Sequence, residues 1–525
     1  MGIKQLLEPK SIAVVGASAN PAKVGRQILD NLIAGGFSGK LYPVNLKSGR
    51  IAGLKAYASL ADLPRAGAAK RLVIMAIPAQ AVVGEISRAV TLGLKNFVII
   101  SSGFKESGQI GAKLEEDLTV IASRKHLNIL GPNCLGFINQ SLHLNATFSR
   151  CLPQPGGLAL ISQSGAIGSA LLDWFQGQPT GLRHFISLGN KAVLDENDFF
   201  NFLAKDKQTK AVALYLESLG QGKRTMKLIS SLSKKKPVFI LKAGQSSAGQ
   251  QAALSHTGAL AGEAALVSAG LARAGALEVS SLSELFNLLS LPESAWRVTR
   301  PEELDVITNA GGPGVLAVDA LSRDGLKSGR LLDVGGDANA KRYGSALAKI
   351  LSSRPVSVLA IFTAQAASQP LETAREIARL SKKYPDSLIL TSFIGGVSLN
   401  ESRRLMRQSG LAVFDYPEEA IFAWKGLRRY QALRSNLKPY NPVKRLAPNP
   451  AKPDYLKAMA LLRRYGLKTV STRAYKPNQT FNYPAVLKAV GPEFLHKSEL
   501  GAVKAGLADK RSLTQSAKEI GRAHV

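Results

Sequence analysis

The sequence predicts an α/β protein built from several modules, each a mainly parallel β-sheet with helices on both faces. Short apolar runs rich in β-branched residues alternate with amphipathic helical stretches along most of the chain, as expected of parallel strands that are joined by helices. The chain has 525 residues. Because one hydrophobic core does not support that length, about three or four domains are expected.

Composition narrows the class of protein. The chain is 45% hydrophobic and 20% charged, as in a globular protein, and neither a membrane-spanning run nor a signal-peptide core is present. Only Cys134 and Cys151 occur, without metal-ligand spacing, so no metal-ligand residues are predicted and a cytoplasmic location is expected. A net charge of +31 favours anionic ligands such as nucleotides. Nucleic acid is not expected as a partner, because the basic residues form no stripe with aromatics.

The first module is predicted over residues 1–150. Its strands are expected at 11–16, 41–45, 72–78, 96–101 and 127–132. Ligands of parallel sheets bind at the carboxyl ends of strands. The candidate ligand residues therefore follow these runs: Gly16, Ser18, Asn20, Lys23, Lys47, Ser101, Ser102, Gly103 and 131–133. Gly16 and Gly25 do not have dinucleotide GxGxxG spacing, but small residues before a helix still favour a phosphate-bearing ligand.

The second module is predicted over residues 151–295. A strand at 157–162 runs directly into QSGAIGSALLDWF, which predicts a helix with small residues in its first turn. The N–H groups of Ser164, Gly165 and Ala166 would face an anion at the helix end, although a tight turn without a ligand fits the same residues. Ser164 does not stand in GxSxG, which argues against a serine hydrolase. Further strands are expected at 184–190, 211–218 and 237–242.

The stretch KAGQSSAGQQAALSHTGALAG, which follows the last of these strands, contains His256 among small residues. Such neighbours leave a ring nitrogen available to meet an anion or to act as a nucleophile. An ordinary surface histidine is the alternative. Glu217 ends the strand at 211–218 and could orient a nearby histidine, although many acids at such positions only face solvent.

The third module is predicted over residues 296–434, with strands at 304–309, 357–362 and 387–393. Its AGGPG turn allows close backbone approach at a helix start, and Pro313 also fits a purely structural first turn. A linker rich in Pro and Asn is predicted at 435–453. Residues 454–519 contain a helix and a strand at 483–490 but are too few to close a domain, so a truncated domain is expected. We interpret the final IGRAHV, 520–525, as adapter sequence.

Seven motifs occur in a characteristic order: SIAVVGAS, GPNCLG, ISQSGAIG, SLGNKAVLDENDF, SHTGALAG, TNAGGPG and VLKAVGPEFLHKSELGAV. With these motifs the chain resembles the NDP-forming acyl-CoA synthetases, the superfamily of ADP-forming acetate–CoA ligase and succinyl-CoA synthetase. The resemblance implies a Rossmann-like CoA-binding domain, two flavodoxin-like succinyl-CoA-synthetase domains and a truncated ATP-grasp fragment.

The resemblance also implies roles for single residues. His256 matches the histidine that is phosphorylated, and Glu217 matches the acid that steadies it. The turn that holds phosphate comprises Ser162, Gln163, Ser164, Gly165 and Ala166. CoA is expected on Gly16, Ser18, Asn20, Lys23, Lys47, Ser101 and Ser102. Lys488 looks like a nucleotide-contacting lysine, and His496 is similar to a second, phosphate-ferrying histidine. The implied ligands are coenzyme A, ADP or ATP, and magnesium, whose ligands are missing from this chain.

The reaction implied by the resemblance converts acyl-CoA, ADP and phosphate into acid, ATP and CoA through acyl phosphate and phosphohistidine. Glu499 and Ala502 replace the more common Asp and Gly of the HKSDxGG pattern, and the chain as given is expected to lack the complete reaction. A homo-oligomer is expected. Two alternatives stay open: the CoA-sensing portion of a protein lysine acetyltransferase with a missing GNAT domain, suggested by LNATF (144–148), and a CoA-binding regulatory module without chemistry.

Overall fold

The computed structural model describes residues 2–47, 49–246, 248–249, 264–296, 302–366, 368–436, 455–491 and 497–523. The chain divides into two compact units, residues 1–441 and 442–525. His256 and His496 lie outside the described residues. None of the helices in the described ranges combines the length and the hydropathy that a membrane span needs.

The first sheet has five parallel strands in the order β2-β1-β5-β6-β7. Its strands are β1 Ser11–Val15, β2 Lys40–Val44, β5 Arg71–Met75, β6 Asn96–Ile99 and β7 Asn128–Leu130, and β3 Gly49–Ile51 pairs with β4 Leu54–Ala56 as a hairpin. Its helices are α1 Lys4–Leu7, α2 Val24–Ala34, α3 Ala79–Thr91 and α4 Gln109–Lys125. The chain leaves β1 toward β2 on one side and resumes at β5 on the other. The carboxyl end of β1 is therefore a topological switch point, where open α/β sheets bind ligands.

The second sheet has seven strands in the order β14-β13-β12-β10-β11-β8-β9. Its strands are β8 Gly136–Asn139, β9 Leu144–Thr147, β10 Pro155–Ser162, β11 Leu182–Ser187, β12 Ala211–Leu216, β13 Val238–Lys242 and β14 Leu277–Val279. Its helices are α5 Gly165–Trp174, α6 Glu196–Lys205, α7 Gly222–Ser233, α8 Ala264–Arg273 and α9 Leu282–Leu289. Since β10 lies between β11 and β12, α5 begins at the switch point of this sheet.

The third sheet has five parallel strands in the order β16-β15-β17-β18-β19. Its strands are β15 Glu303–Thr308, β16 Lys327–Asp333, β17 Ser357–Thr363, β18 Leu388–Ile394 and β19 Ala412–Phe414. Its helices are α10 Gly311–Arg323, α11 Ala340–Ser353, α12 Pro370–Lys383, α13 Asn400–Gln408 and α14 Pro417–Ser435. The second unit contains α15 Tyr455–Arg464, the antiparallel pair β20 Ala485–Lys488 and β21 Val503–Leu507, and α16 Lys510–Ala523.

The hydrophobic cores cross from sheet to sheet within the first unit. One buried cluster joins Val14 and Ile74 of the first sheet to Ile161 of the second. Another joins Leu160 of the second sheet to Val306 of the third. Buried apolar side chains at about 25 cal/mol per Å² are the main stabilising contribution to such a fold. The three sheets of residues 1–441 therefore form one compact unit.

Each apolar run that predicted a strand overlaps an observed strand. The first module is predicted to extend to residue 150 without strands after 132, but residues 136–147 form the hairpin β8–β9, and β8 pairs antiparallel with β11 of the second sheet. The second sheet therefore begins at Gly136. β16 was not predicted, because most of its residues are exposed and it lacks an apolar run.

Candidate active site

A cavity of about 1050 Å³ lies between the carboxyl edges of the first and second sheets. Most of its lining comes from the turns that follow β5, β6, β7, β10, β11 and β12. The residues are Val24, 76–78, 100–102, Lys105, Glu106, 133–135, Phe148, 163–166, Ser169, Gly189, Asn190, Glu217 and Ser218. The fold thus brings together eight residues predicted from two separate modules: Ser101, Ser102, Asn133, Gln163, Ser164, Gly165, Ala166 and Glu217.

The amino-terminal end of α5 opens into this cavity. Ser164 is the N-cap, and its Oγ accepts a hydrogen bond from the N–H of Ile167 at 3.4 Å. The first-turn N–H groups of Gly165 and Ala166 have no carbonyl one turn earlier to bind, and the helix dipole adds positive potential there. This end of α5 can therefore hold an anion such as phosphate.

Gln163 connects the start of α5 to the end of β12. Its side-chain Oε1 accepts hydrogen bonds from the backbone N–H groups of Glu217 at 2.9 Å and Ser218 at 3.0 Å. Its Nε2 donates to Oγ of Ser218 at 3.3 Å. The side chain of Gln163 is therefore used in holding the turn that carries Glu217, a role that residue order alone does not reveal.

The first-sheet wall of the cavity is formed by Ser101 and Ser102, which follow β6. The Ser101 hydroxyl donates to the carbonyl oxygen of Ile77 at 2.5 Å, while Ser102 is exposed. Near the switch point, Gly16 has a φ of +88°, and a Cβ there would lie 2.3 Å from the carbonyl oxygen of Ala76. The backbone of β1 thus packs directly against the turn after β5.

The other predicted residues of the first module lie outside the cavity lining. Ser18 Oγ accepts from the N–H of Asn20 at 3.1 Å, and Asn20 Oδ1 accepts from the N–H of Ala22 at 2.9 Å, so these side chains shape the turn before α2. Lys23 is the N-cap residue of α2 and is exposed. Lys47 is exposed after β2. They form a second group, at the carboxyl ends of β1 and β2.

Ser162 also lies outside the cavity lining. It is fully buried at the end of β10, and its Oγ donates to the carbonyl oxygen of Ser164 at 2.6 Å. Ser162 therefore fixes the turn into α5.

Glu106 and Asn190 are among the polar cavity residues that were not predicted as site residues. Asn190 donates through Nδ2 to Glu106 at 2.5 Å and to Glu115 at 2.8 Å, and its Oδ1 accepts from Asn133 at 3.3 Å. Partial burial raises the pKa of Glu106, but hydrogen bonds from Asn190 and from backbone N–H groups outweigh burial and leave the pKa below its usual value. The ionised Glu106 and Asn190 thus join the turns after β6 and β11. The SLGNKA motif contained Asn190, but nothing in its residue type indicated this contact.

Cys134 lines the cavity without the properties of a nucleophile. Its side chain is 4% exposed, and Sγ lies 3.3 Å from the carbonyl oxygen of Ile99. Burial raises the pKa of its thiol to about 12, so the thiolate form is disfavoured. Among the residues in the described ranges, no group of three or more His, Cys, Asp or Glu side chains is placed to hold a metal ion.

In the second unit, Lys488 ends β20, and its Nζ lies 3.8 Å from the centre of the Tyr455 ring and hydrogen-bonds the Tyr455 hydroxyl. Lys488 is half-buried.

Three family models match successive parts of the chain. They are a CoA binding domain over residues 10–140, a succinyl-CoA ligase like flavodoxin domain over 155–291 and an ATP-grasp domain over 451–524. The first two contribute the two walls of the cavity described above.

Curated relatives align with nearly the whole chain. Acetate–CoA ligase [ADP-forming] I of Archaeoglobus fulgidus is 34% identical over 97% of this chain and 78% of its own length. The subunit alpha of acetate–CoA ligase [ADP-forming] I of Pyrococcus furiosus is 35% identical over 83% of this chain and 100% of its own length. The 4-hydroxybutyrate–CoA ligase [ADP-forming] of Nitrosopumilus maritimus is 31% identical over 98% of this chain and 79% of its own.

A solved structure has the same fold. The dinucleotide forming acetyl-coenzyme A synthetase 1 of Ca. Korarchaeum cryptofilum, in complex with phosphate and ADP, superposes with a TM-score of 0.76 and 31% identity, covering 82% of this chain and 97% of that one. Fold, cavity and matches together define an acyl-CoA ligase. The chain belongs to the NDP-forming acyl-CoA synthetases, in the family of the ADP-forming acetate–CoA ligases.

Proposed function

We propose that this ligase interconverts acyl-CoA, ADP and phosphate with carboxylic acid, ATP and CoA through an acyl phosphate and a phosphohistidine. One observation carries the proposal: a single cavity contains both the Ser101–Ser102 wall of the CoA-binding sheet and the anion-attracting end of α5. A thioester entering from the first sheet would therefore meet a phosphate held at the second.

In the first step, the backbone N–H groups of Gly165 and Ala166 hold phosphate. A phosphate oxygen attacks the thioester carbonyl carbon, the C–S bond breaks, and CoA leaves as the thiol after protonation. The product is an acyl phosphate. Preorganised N–H donors suit this step because they stabilise negative charge without reorganisation.

In the second step, His256 takes the phosphoryl group. A ring nitrogen of neutral His256 attacks phosphorus, the P–O bond to the acyl group breaks, and the carboxylic acid leaves as a carboxylate. His256 belongs to the segment that joins β13 to α8, and β13 lies beside β12, whose carboxyl end carries Glu217. Glu217 is proposed to orient the imidazole.

In the third step, ADP takes the phosphoryl group from phosphohistidine, and ATP forms. Lys488 is proposed to contact the nucleotide, and His496 to relay phosphate, on the strength of their motif alone. Magnesium would shield the phosphate oxygens of the nucleotide.

The proposed acid is acetate, because the relatives from Archaeoglobus fulgidus and Pyrococcus furiosus are both named as acetate–CoA ligases. We also propose a homo-oligomer. A reducing cytoplasm is proposed because Cys134 and Cys151 are both free thiols. Nucleic acid and membranes are not proposed as partners.

The test is phosphoenzyme formation. The chain is incubated with acetyl-CoA and labelled phosphate, and protein-bound label is measured with and without His256→Ala. Acid-labile, base-stable label that disappears in the variant is expected. Label that persists in His256→Ala would contradict the assignment of His256.

A further inference from the structure

The turn at Glu217–Gly220 is held by side chains that bind its backbone groups. Gln163 accepts hydrogen bonds from the N–H groups of Glu217 and Ser218. On the opposite side, Nζ of Lys242 donates to the carbonyl oxygen of Glu217 at 2.8 Å and also to that of Ala243. Both backbone polar groups of Glu217 are thus bound by side chains of neighbouring strand ends.

A buried ion pair continues this arrangement. Nζ of Lys191 donates to the carbonyl oxygen of Ser218 at 2.8 Å and to Glu196 at 3.0 Å. The other carboxylate oxygen of Glu196 accepts from the N–H of Gly220 at 2.7 Å. The two charges therefore fix the far end of the same turn.

The burial of these charges is costly. The side chains of Lys191 and Glu196 are 8% and 0% exposed, and Lys242 is 7% exposed. Burial, reinforced by the neighbouring Lys191 charge, lowers the pKa of Lys242. Well-packed apolar residues of similar volume often stabilise a fold as much as or more than buried ion pairs do. What these polar side chains supply in addition is a defined backbone geometry for the turn.

We propose that Lys242, together with Gln163 and Lys191, is a positioning residue: it fixes the backbone of Glu217 so that this residue stays at the cavity beside the end of α5. This inference rests on the proposed function, because it assigns Lys242 a role in orienting His256 through Glu217. Lys242 stabilises the active arrangement of the turn and does not itself contact the reacting atoms.

The same strand provides a matched control. Lys236 precedes β13 at its amino end, is 8% exposed, and its Nζ donates to the carbonyl oxygens of Leu203 and Asp206. Lys242 ends β13 and makes the same kind of contact. Lys236→Met and Lys242→Met therefore remove the same chemistry from opposite edges of one sheet.

The experiment measures the single-turnover rate of phosphoenzyme formation from acetyl-CoA and phosphate in the full chain. Lys242→Met is expected to be slower by about 10- to 100-fold, the usual cost of losing a supporting contact. Its CoA dissociation constant should stay unchanged, and Lys236→Met should form phosphoenzyme at the wild-type rate. Adding Glu217→Gln to Lys242→Met should slow the reaction by less than about twofold more, because the two residues act as a unit.

The inference would be overturned if the rate losses of Lys242→Met and Glu217→Gln multiply in the double variant. It would also be overturned if Lys236→Met slows the reaction as much as Lys242→Met does. If Lys242→Met does not fold, the same cycle is run with Gln163→Leu, which removes the other support of Glu217, and the same criteria apply. Label that persists in His256→Ala would instead refute the proposed function, so the two failures are distinguishable.

Discussion

Gly16 shows how a single residue sets the geometry of the first sheet. Its φ of +88° lies in the region that favours glycine, and its backbone packs against Ala76 at the switch point. Gly25 at the start of α2 packs as closely, since a Cβ there would lie 2.1 Å from the carbonyl oxygen of Gly16. The two glycines of SIAVVGASANPAKVG are thus required by close backbone approach.

Gly16→Ala should destabilise the chain by about 2–3 kcal/mol, because backbone atoms cannot move aside as a flexible side chain could. CoA binding should weaken with it. Gly93→Ala is the control: it has a φ of +80° but open space around its Cα, so only the backbone strain of about 1–2 kcal/mol is expected. Chemical denaturation gives both values, and equal losses would contradict the packing argument.

A buried histidine of the second sheet, His184, should make the free energy of unfolding depend on pH. His184 is 1% exposed, and its Nε2 lies 3.0 Å from Asp206, which also binds Arg183. Burial lowers the pKa of His184, and the interaction with Asp206 opposes this only in part. The folded chain therefore holds a neutral imidazole.

The free energy of unfolding should fall with pH below about 6.5, because the unfolded imidazole takes up a proton there that the folded one resists. His184→Gln keeps a donor toward Asp206 but does not titrate. Measured from pH 7 to 5, the wild type should lose stability relative to this variant by up to about 1.4 kcal/mol per pH unit. Parallel stability curves for the two proteins would contradict this.

At the scale of elements, α5 combines a structural cap with an anion site. Ser164 caps the helix, while Gly165 and Ala166 present N–H groups to the cavity. A negative charge at the N-cap stabilises a helix, but the same charge would repel phosphate. Stability and phosphate binding should therefore respond in opposite directions to one substitution.

Ser164→Asp should leave stability unchanged or raise it by up to about 1 kcal/mol, and it should raise the KM for phosphate about tenfold or more through charge repulsion. Ser164→Ala, which removes the cap without adding charge, should cost about 1 kcal/mol of stability. Thermal unfolding and phosphate titrations check both. An unchanged KM for phosphate in Ser164→Asp would argue that phosphate binds elsewhere.

Most of the elements could be predicted from the sequence because buried parallel strands are continuous apolar runs. β16 could not be predicted in this way, because Leu331 and Leu332 are exposed and the strand has no other large apolar residue. The pairing of β8 with β11 depends on long-range contacts that no local pattern records.

For the site, small residues and strand ends predicted several residues that line one cavity, from Ser101 to Glu217; that ligands bind there stays a prediction. They could not show that Gln163 binds the Glu217 backbone or that Asn190 joins Glu106. Such contacts depend on which turns the fold places side by side.

At the scale of the whole molecule, residues 1–441 contain every residue of the cavity, and residues 442–525 form a separate unit that carries Lys488. We therefore assign the proposed thioester chemistry to the first unit and the proposed nucleotide chemistry to the second. Attack on the thioester should need the cavity but not the later acceptor of the phosphoryl group.

Arsenolysis of acetyl-CoA in the His256→Ala variant tests this division most directly. Arsenate in place of phosphate would attack the thioester and release CoA thiol, and the acyl arsenate would then hydrolyse to acid and arsenate. We expect CoA release in His256→Ala at close to the wild-type rate, and slow release in Ser164→Asp. Loss of CoA release in His256→Ala, with CoA still bound, would contradict the claim that the cavity alone performs the first step.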